Sequence, residues 1–165
     1  LVKADFYNPI AVFIVNATQI PSGAIRKFLP PFRSFDLASL VLALLVQWLI
    51  IQLTLTINNL GVVSIFMALS WGLVGALKIT LNIYLYGLLA IIIVSWVAPQ
   101  SQHPAIALIQ QIVSPAMRPF KRILPSFGAL DLSPMLLFLV LNVLEFFLHG
   151  LAGNLLLPTG IVAGI

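Results

Sequence analysis

Asn142, Glu145 and His149 stand at i, i+3 and i+7 inside an otherwise apolar stretch of the chain. On a helix that spacing puts an amide, a carboxylate and an imidazole on one face. Groups of this kind in an apolar helix can pass protons, hold an ion or bond a neighbouring helix. Lys78 and Asn82, one turn apart in an earlier apolar stretch, offer the matching partners. Lys78 with Glu145 is the expected ion pair, with Asn82 and His149 beside it. Two readings stay open: a functional intramembrane site, or polar glue between helices. Hydrolytic and metal chemistry find no support, because the two histidines and four acids fall in no ligand spacing and neither Gly-x-Ser-x-Gly nor His-Glu-x-x-His occurs. With no cysteine, there is no disulfide framework or thiolate centre. No enzymatic activity, cofactor or metal is expected.

A second set of residues could bind anions. Arg118, Lys121 and Arg122 lie in SPAMRPFKRILP beside Met117, Phe120, Ile123 and Leu124, and Arg26, Lys27 and Arg33 lie in IRKFLPPFRSFD. Basic groups so placed reach lipid phosphates while their apolar neighbours enter the acyl boundary. Asp36, Asp131 and Ser133 follow, suited to cap the next helices and to pair with the basic groups. Here too two readings remain: simple inner-face anchors, or a platform for anionic lipid or a partner protein. Nucleic acid is not expected despite the net charge of +4, since the basic residues sit in short loops beside apolar helices.

The elements that must carry these groups are apolar helices. With 61% hydrophobic and 7% charged residues and a mean hydropathy of +1.14, the chain reads as an all-α integral membrane protein. Between Asp36 and Arg118 the one formal charge is Lys78. Leu37 to Ile57 makes a spanning helix, capped by Asp36. Leu60 to Val97 is too long for one straight span, so a turn is expected among Gly72, Gly75, Lys78 and Asn82. Ile79 to Val97 is then a second span, and residues 59–78 form a half-membrane or interfacial connector on the outer side. Leu132 to His149 is the last span, with residues 150–165 an external tail.

The chain also repeats itself. An ungapped shift of 95 positions pairs Pro9 with Pro104, Ile14 with Ile109, Arg26-Lys27 with Lys121-Arg122, Leu29-Pro30 with Leu124-Pro125, and Asp36-Leu37 with Asp131-Leu132. Internal duplication of this kind bounds the architecture. Residues 1–58 read as the first copy and 79–149 as the second, each an interfacial proline-rich basic elbow followed by a spanning helix. In the second copy the elbow is a helix from Pro104, amphipathic at the 3.6-residue period, with a new helix start at Ser114-Pro115. In the first, Pro21-Ser22-Gly23 reads as a break. Gln47 falls opposite Asn142, which suggests packing between the repeat-related spans. By the same symmetry a helix precedes Leu1 in the intact protein. Seven of the eight Lys and Arg residues lie in the two elbows, so the positive-inside rule puts both on the cytoplasmic face and makes the repeats parallel.

SWVAPQSQHP, SPAMRPFKRILPSFGALDLSP, DFYNPI and IRKFLPPFRSFDLAS together resemble the duplicated motif of the YggT/YlmG family of small bacterial and plastid membrane proteins. The resemblance spans the chain and is most specific in the second copy, in the run P-x3-P-x-[KR]-R-x2-P with DLSP downstream. In the first copy Ile20 and Ala24 stand opposite Pro115 and Pro119, and Ala38-Ser39 opposite Ser133-Pro134. The resemblance implies a multi-pass inner-membrane protein without established enzymatic activity. In bacteria it is linked to osmotic-stress tolerance, cell division and nucleoid organisation, and in plastids to cytochrome assembly and nucleoid distribution. The expected role is a non-enzymatic factor that organises or assembles other membrane proteins, in contact with anionic lipid and one or more protein partners, with room for an oligomer. The alternative is a small channel or solute-flux protein acting in osmotic shock, lined by Lys78, Asn82, Asn142 and Glu145.

Overall fold

The computed structural model describes residues 7–29, 36–123, 132–157 and 160. Five helices follow one another: α1 (Pro9–Arg26), α2 (Leu37–Ile57), α3 (Ile65–Val97), α4 (Pro104–Ile123) and α5 (Ser133–Asn154). No strand occurs among the described residues, as the all-α reading requires. Lys3, Arg33 and Asp131 lie outside the described residues.

The chain forms two compact units, one of Leu1–Ala17 with Leu81–Leu144 and one of Thr18–Thr80 with Glu145–Ile165. In the first, α4 lies against the later part of α3 and the early part of α5. Leu88, Val113, Met117, Leu137 and Leu141 form its core. Gly87 makes this packing tight, since a Cβ there would stand 3.0 Å from Val113 Cγ2 and 3.4 Å from Ile109 Cγ2. In the second unit, Gln47, Ile51 and Leu55 of α2 are buried, as are Ala68, Trp71, Val74 and Lys78 of α3 and Leu148 and Ala152 of α5.

Several expected breaks are absent. α3 runs 33 residues without interruption, about 50 Å at 1.5 Å per residue, so no turn forms at Gly72, Gly75, Lys78 or Asn82. A glycine in a helix costs only about 1 kcal/mol relative to alanine, whereas each backbone group left unbonded in hydrocarbon costs several. Gly72 serves packing instead, because a Cβ there would lie 3.5 Å from Gln47 Cγ of α2. α1 likewise continues through Pro21, with Ser22 Oγ donating to Thr18 O at 2.6 Å. α4 continues through Pro115 and Pro119. Ser114 is not an N-cap, and its hydroxyl donates back to Gln110 O. Both prolines face outward, where carbonyls deprived of a helical donor can be hydrated. α5 ends at Asn154, five residues beyond the expected end of the span.

The duplication is visible in the helix starts. Pro9 and Pro104, 95 positions apart, are each the first residue of a helix. Asn8 Oδ1 accepts from Ile10 N at 3.0 Å, and His103 Nδ1 accepts from Ala105 N at 3.2 Å, so equivalent residues cap equivalent helices. Asn8 Nδ2 then donates to Pro104 O at 2.7 Å, joining the two starts. Deeper in the spans the equivalence fails. Gln47 is buried and Asn142 exposed, so the two equivalent positions have different surroundings.

Candidate functional site

Two groups of side chains stand out, one inside the apolar helices and one on α4. Ala68, Trp71, Val74 and Lys78 are buried on α3, at steps of three, three and four residues that keep them on one helical stripe. Lys78 Nζ is hydrogen-bonded and ion-paired with Glu145 Oε1 of α5. Only 7% of the Lys78 side chain is exposed, against 27% of Glu145. His149 Nδ1 lies 2.9 Å from Glu145 O. A carbonyl can only accept, so Nδ1 carries the proton and Nε2 of the neutral ring is left as an acceptor. Asn82 is half-buried one turn along α3, and Asn142 is exposed, with Nδ2 donating to Phe138 O at 2.7 Å in its own helix. Of the five expected residues, Lys78 and Glu145 are paired and His149 bonds the Glu145 carbonyl. A channel lining would need these charges open to water, whereas here they neutralise each other.

Trp71, overlooked in the sequence, belongs to the same stripe and donates from Nε1 to Leu155 O at 3.0 Å. Its signal was the seven-residue spacing to Lys78. Asn8 and His103 were also missed as caps, although each stands immediately before a proline that opens a helix.

On α4, Val113 and Met117 are buried and Ile109, Ala116 and Phe120 pack around them. Arg118, Lys121 and Arg122, at i, i+3 and i+4, are exposed. The helix therefore holds its basic groups outward by burying the opposite stripe. In the first copy Arg26 closes α1 and is ion-paired with Asp36, while Lys27 is exposed. Asp36 caps α2, with Ser39 Oγ donating to Oδ2 at 2.7 Å. The Arg26 guanidinium first, and the Ser39 hydroxyl second, hold the Asp36 carboxyl at a pKa of about 2, below the usual carboxylate range. Ser133, the first residue of α5, is buried.

Three helices among those described, α2, α3 and α5, are long and apolar enough to cross a bilayer, and with amphipathic α4 they define a multi-pass α-helical membrane protein. The chain belongs to the CCB3/YggT family, whose model matches residues 2–57 and 70–152. The two matched segments end 95 positions apart, the same offset that relates Pro9 to Pro104. The chain is 40% identical over 146 residues to an uncharacterized protein of Pseudomonas aeruginosa, covering 88% of this chain and 74% of that one. It is 35% identical over 162 residues to the uncharacterized protein YggT of Escherichia coli K12, covering 93% and 81%. An uncharacterized protein of Vibrio alginolyticus is 35% identical over 153 residues, covering 92% and 82%. No solved structure matches.

Proposed function

We propose that this protein is a non-enzymatic factor of the bacterial inner membrane that organises or assembles other membrane proteins. The observation that carries this reading is α4, one stripe of which is locked into the core while Arg118, Lys121 and Arg122 stand exposed on its surface. A rigidly held basic face beside spanning helices suits anionic lipid headgroups and acidic partner segments near the membrane. In this topology both basic elbows are cytoplasmic, α2 runs outward, α3 returns and α5 runs outward. α3 is longer than the roughly 30 Å hydrocarbon core, so its early part, from Ile65 towards Leu77, emerges on the outer side or the helix tilts. The family's link to osmotic-stress tolerance and cell division fits an organising role and supports it only by resemblance.

Crosslinking in native membranes tests the proposal. The parent chain is expected to capture a defined membrane-protein partner, and the triple variant Arg118→Gln, Lys121→Gln, Arg122→Gln to lose most of it while keeping its helicity. Equal capture by the two would refute the platform. Flux of ions or solute in liposomes holding this protein alone, abolished by Glu145→Gln, would favour the channel instead. The mutual neutralisation of Lys78 and Glu145 argues against that outcome.

A further inference from the structure

α5 turns Ser133, Leu137, Leu141, Leu148 and Ala152 inward. Directly opposite runs an exposed line of six residues, Met135, Leu139, Asn142, Phe146, His149 and Gly153. Steps of four and three alternate, so every second member recurs after seven residues, the heptad spacing of a seam between two helices. Phe146 is 77% and Leu139 60% exposed. The line therefore faces out of the chain along a helix that crosses the bilayer.

Asn142 is the residue that hydrocarbon alone does not suit. It lies about 14 Å from the start of α5, near the middle of a core roughly 30 Å thick. One amide N–H is bonded to Phe138 O, and the exposed side chain carries an acceptor oxygen and a second donor besides. Acyl chains offer neither donor nor acceptor, so these groups call for a polar neighbour. About two and three turns later nothing lies within 4 Å of where a Cβ would stand at Gly150 or Gly153, and an open groove of 370 Å³ runs beside Phe146, Phe147 and Gly150. The glycines let a second backbone come close, and the groove can take an aromatic ring from it.

We propose that this seam joins two copies of the chain, α5 against α5. All copies are inserted in one orientation, so a closed pair has its twofold axis along the membrane normal and sets each seam residue against its own counterpart. A carboxamide is donor and acceptor at once, so Asn142 of one copy satisfies Asn142 of the other in both directions. Phe146 meets Phe146 of the other copy, and Gly150 and Gly153 beyond it let the two backbones stay close. The two His149 Nε2 acceptors meet near the outer boundary, about 24 Å along α5, where a single water can donate to both. An apolar helix of another protein could fill the groove but would leave Asn142 unpaired.

The chain has no cysteine, which makes the test direct. The protein, with any cysteine outside these residues replaced by serine, is purified, reconstituted in lipid vesicles at high lipid excess and oxidised. Phe146→Cys is expected to give a disulfide-linked dimer, and Leu144→Cys, exposed on the flank of the same helix, little or none. By energy transfer between labelled copies, Asn142→Leu is expected to weaken association about three- to tenfold, and Gly153→Leu to weaken it further, with helicity unchanged for these lipid-facing substitutions. Equal linking at positions 144 and 146, undiminished association of Asn142→Leu, or a monomer at all dilutions would each overturn the proposal.

Discussion

Removing one member of the Lys78–Glu145 pair exposes what that pair does. Glu145→Gln leaves the Lys78 ammonium with 7% of its side chain exposed and no carboxylate beside it. Breaking a buried ion pair by deleting one partner costs about 3–5 kcal/mol, whereas surface pairs are worth about 0–1 kcal/mol. Lys78 lies at the buried limit and Glu145, at 27% exposure, between the two. The expected cost of Glu145→Gln is therefore about 3 kcal/mol, and that of Lys78→Met about 1–2 kcal/mol, because the stranded carboxylate retains some access to water. In the double variant no buried charge is left over, and its cost is expected to fall below that of Glu145→Gln alone, a coupling of at least about 1 kcal/mol. Denaturant unfolding in mild micelles measures all four proteins, followed by helical circular dichroism and by tryptophan fluorescence, to which Trp71 on the same face of α3 contributes. Costs that add within about 0.5 kcal/mol, or a Lys78→Met more damaging than Glu145→Gln, would refute the argument.

Gly87→Val should wedge α4 away from α3, since even a bare Cβ would meet Val113 at 3.0 Å. A loss of about 1–3 kcal/mol is expected from overpacking, read as a lower unfolding midpoint in micelles, and an unchanged midpoint would count against the packing described. The Asp36 carboxyl should stay ionised until the pH falls through about 2. A depressed carboxylate stabilises the fold above the unfolded value near 3.9, and that contribution is lost as pH drops towards the folded one. Carboxyl NMR titration in micelles checks this, and Arg26→Gln should move the midpoint up. For topology, a cysteine at Leu60 in the α2–α3 turn should react with an impermeant reagent added outside cells, and one at Gln110 on α4 should be shielded. The reverse pattern would invert the orientation.

What could be read in advance followed from the solvent. Hydrocarbon accepts only helices whose own backbone is fully bonded, so a 21-residue chargeless stretch after a capping aspartate was legible as α2, with its observed bounds. The continuity of α3 was not. Gly72, Lys78 and Asn82 looked like breakers because their cost was weighed locally, whereas Gly72 meets Gln47 of another helix and Lys78 is held by Glu145 from a distant part of the chain. Pro21 and Pro115 misled in the same way, since an outward-facing proline can be tolerated where its freed carbonyl is hydrated. The meeting of Lys78 with Glu145 was readable because few charges were available to satisfy each other. The caps at Asn8 and His103 could have been found by carrying the 95-residue offset one position upstream of the prolines.

The two copies agree where they are short of alternatives and part where packing decides. Helix starts at Pro9 and Pro104 with matching caps follow from local chemistry, and duplication preserves them at no packing cost. The spanning helices have different neighbours. α2 buries Gln47, Ile51 and Leu55, whereas α5 buries Leu137, Leu141 and Leu148, positions that are not equivalent under the offset. The consequence is chemical: the polar side chain at this register is turned inward against α3 in the first copy and outward into lipid in the second. An inward amide can bond or pack within one chain, but an outward amide at mid-membrane finds a polar partner only beyond it. On the proposed function and the proposed seam, the second copy, with its basic α4 face and its exposed Asn142, is the half of the molecule that would meet other molecules.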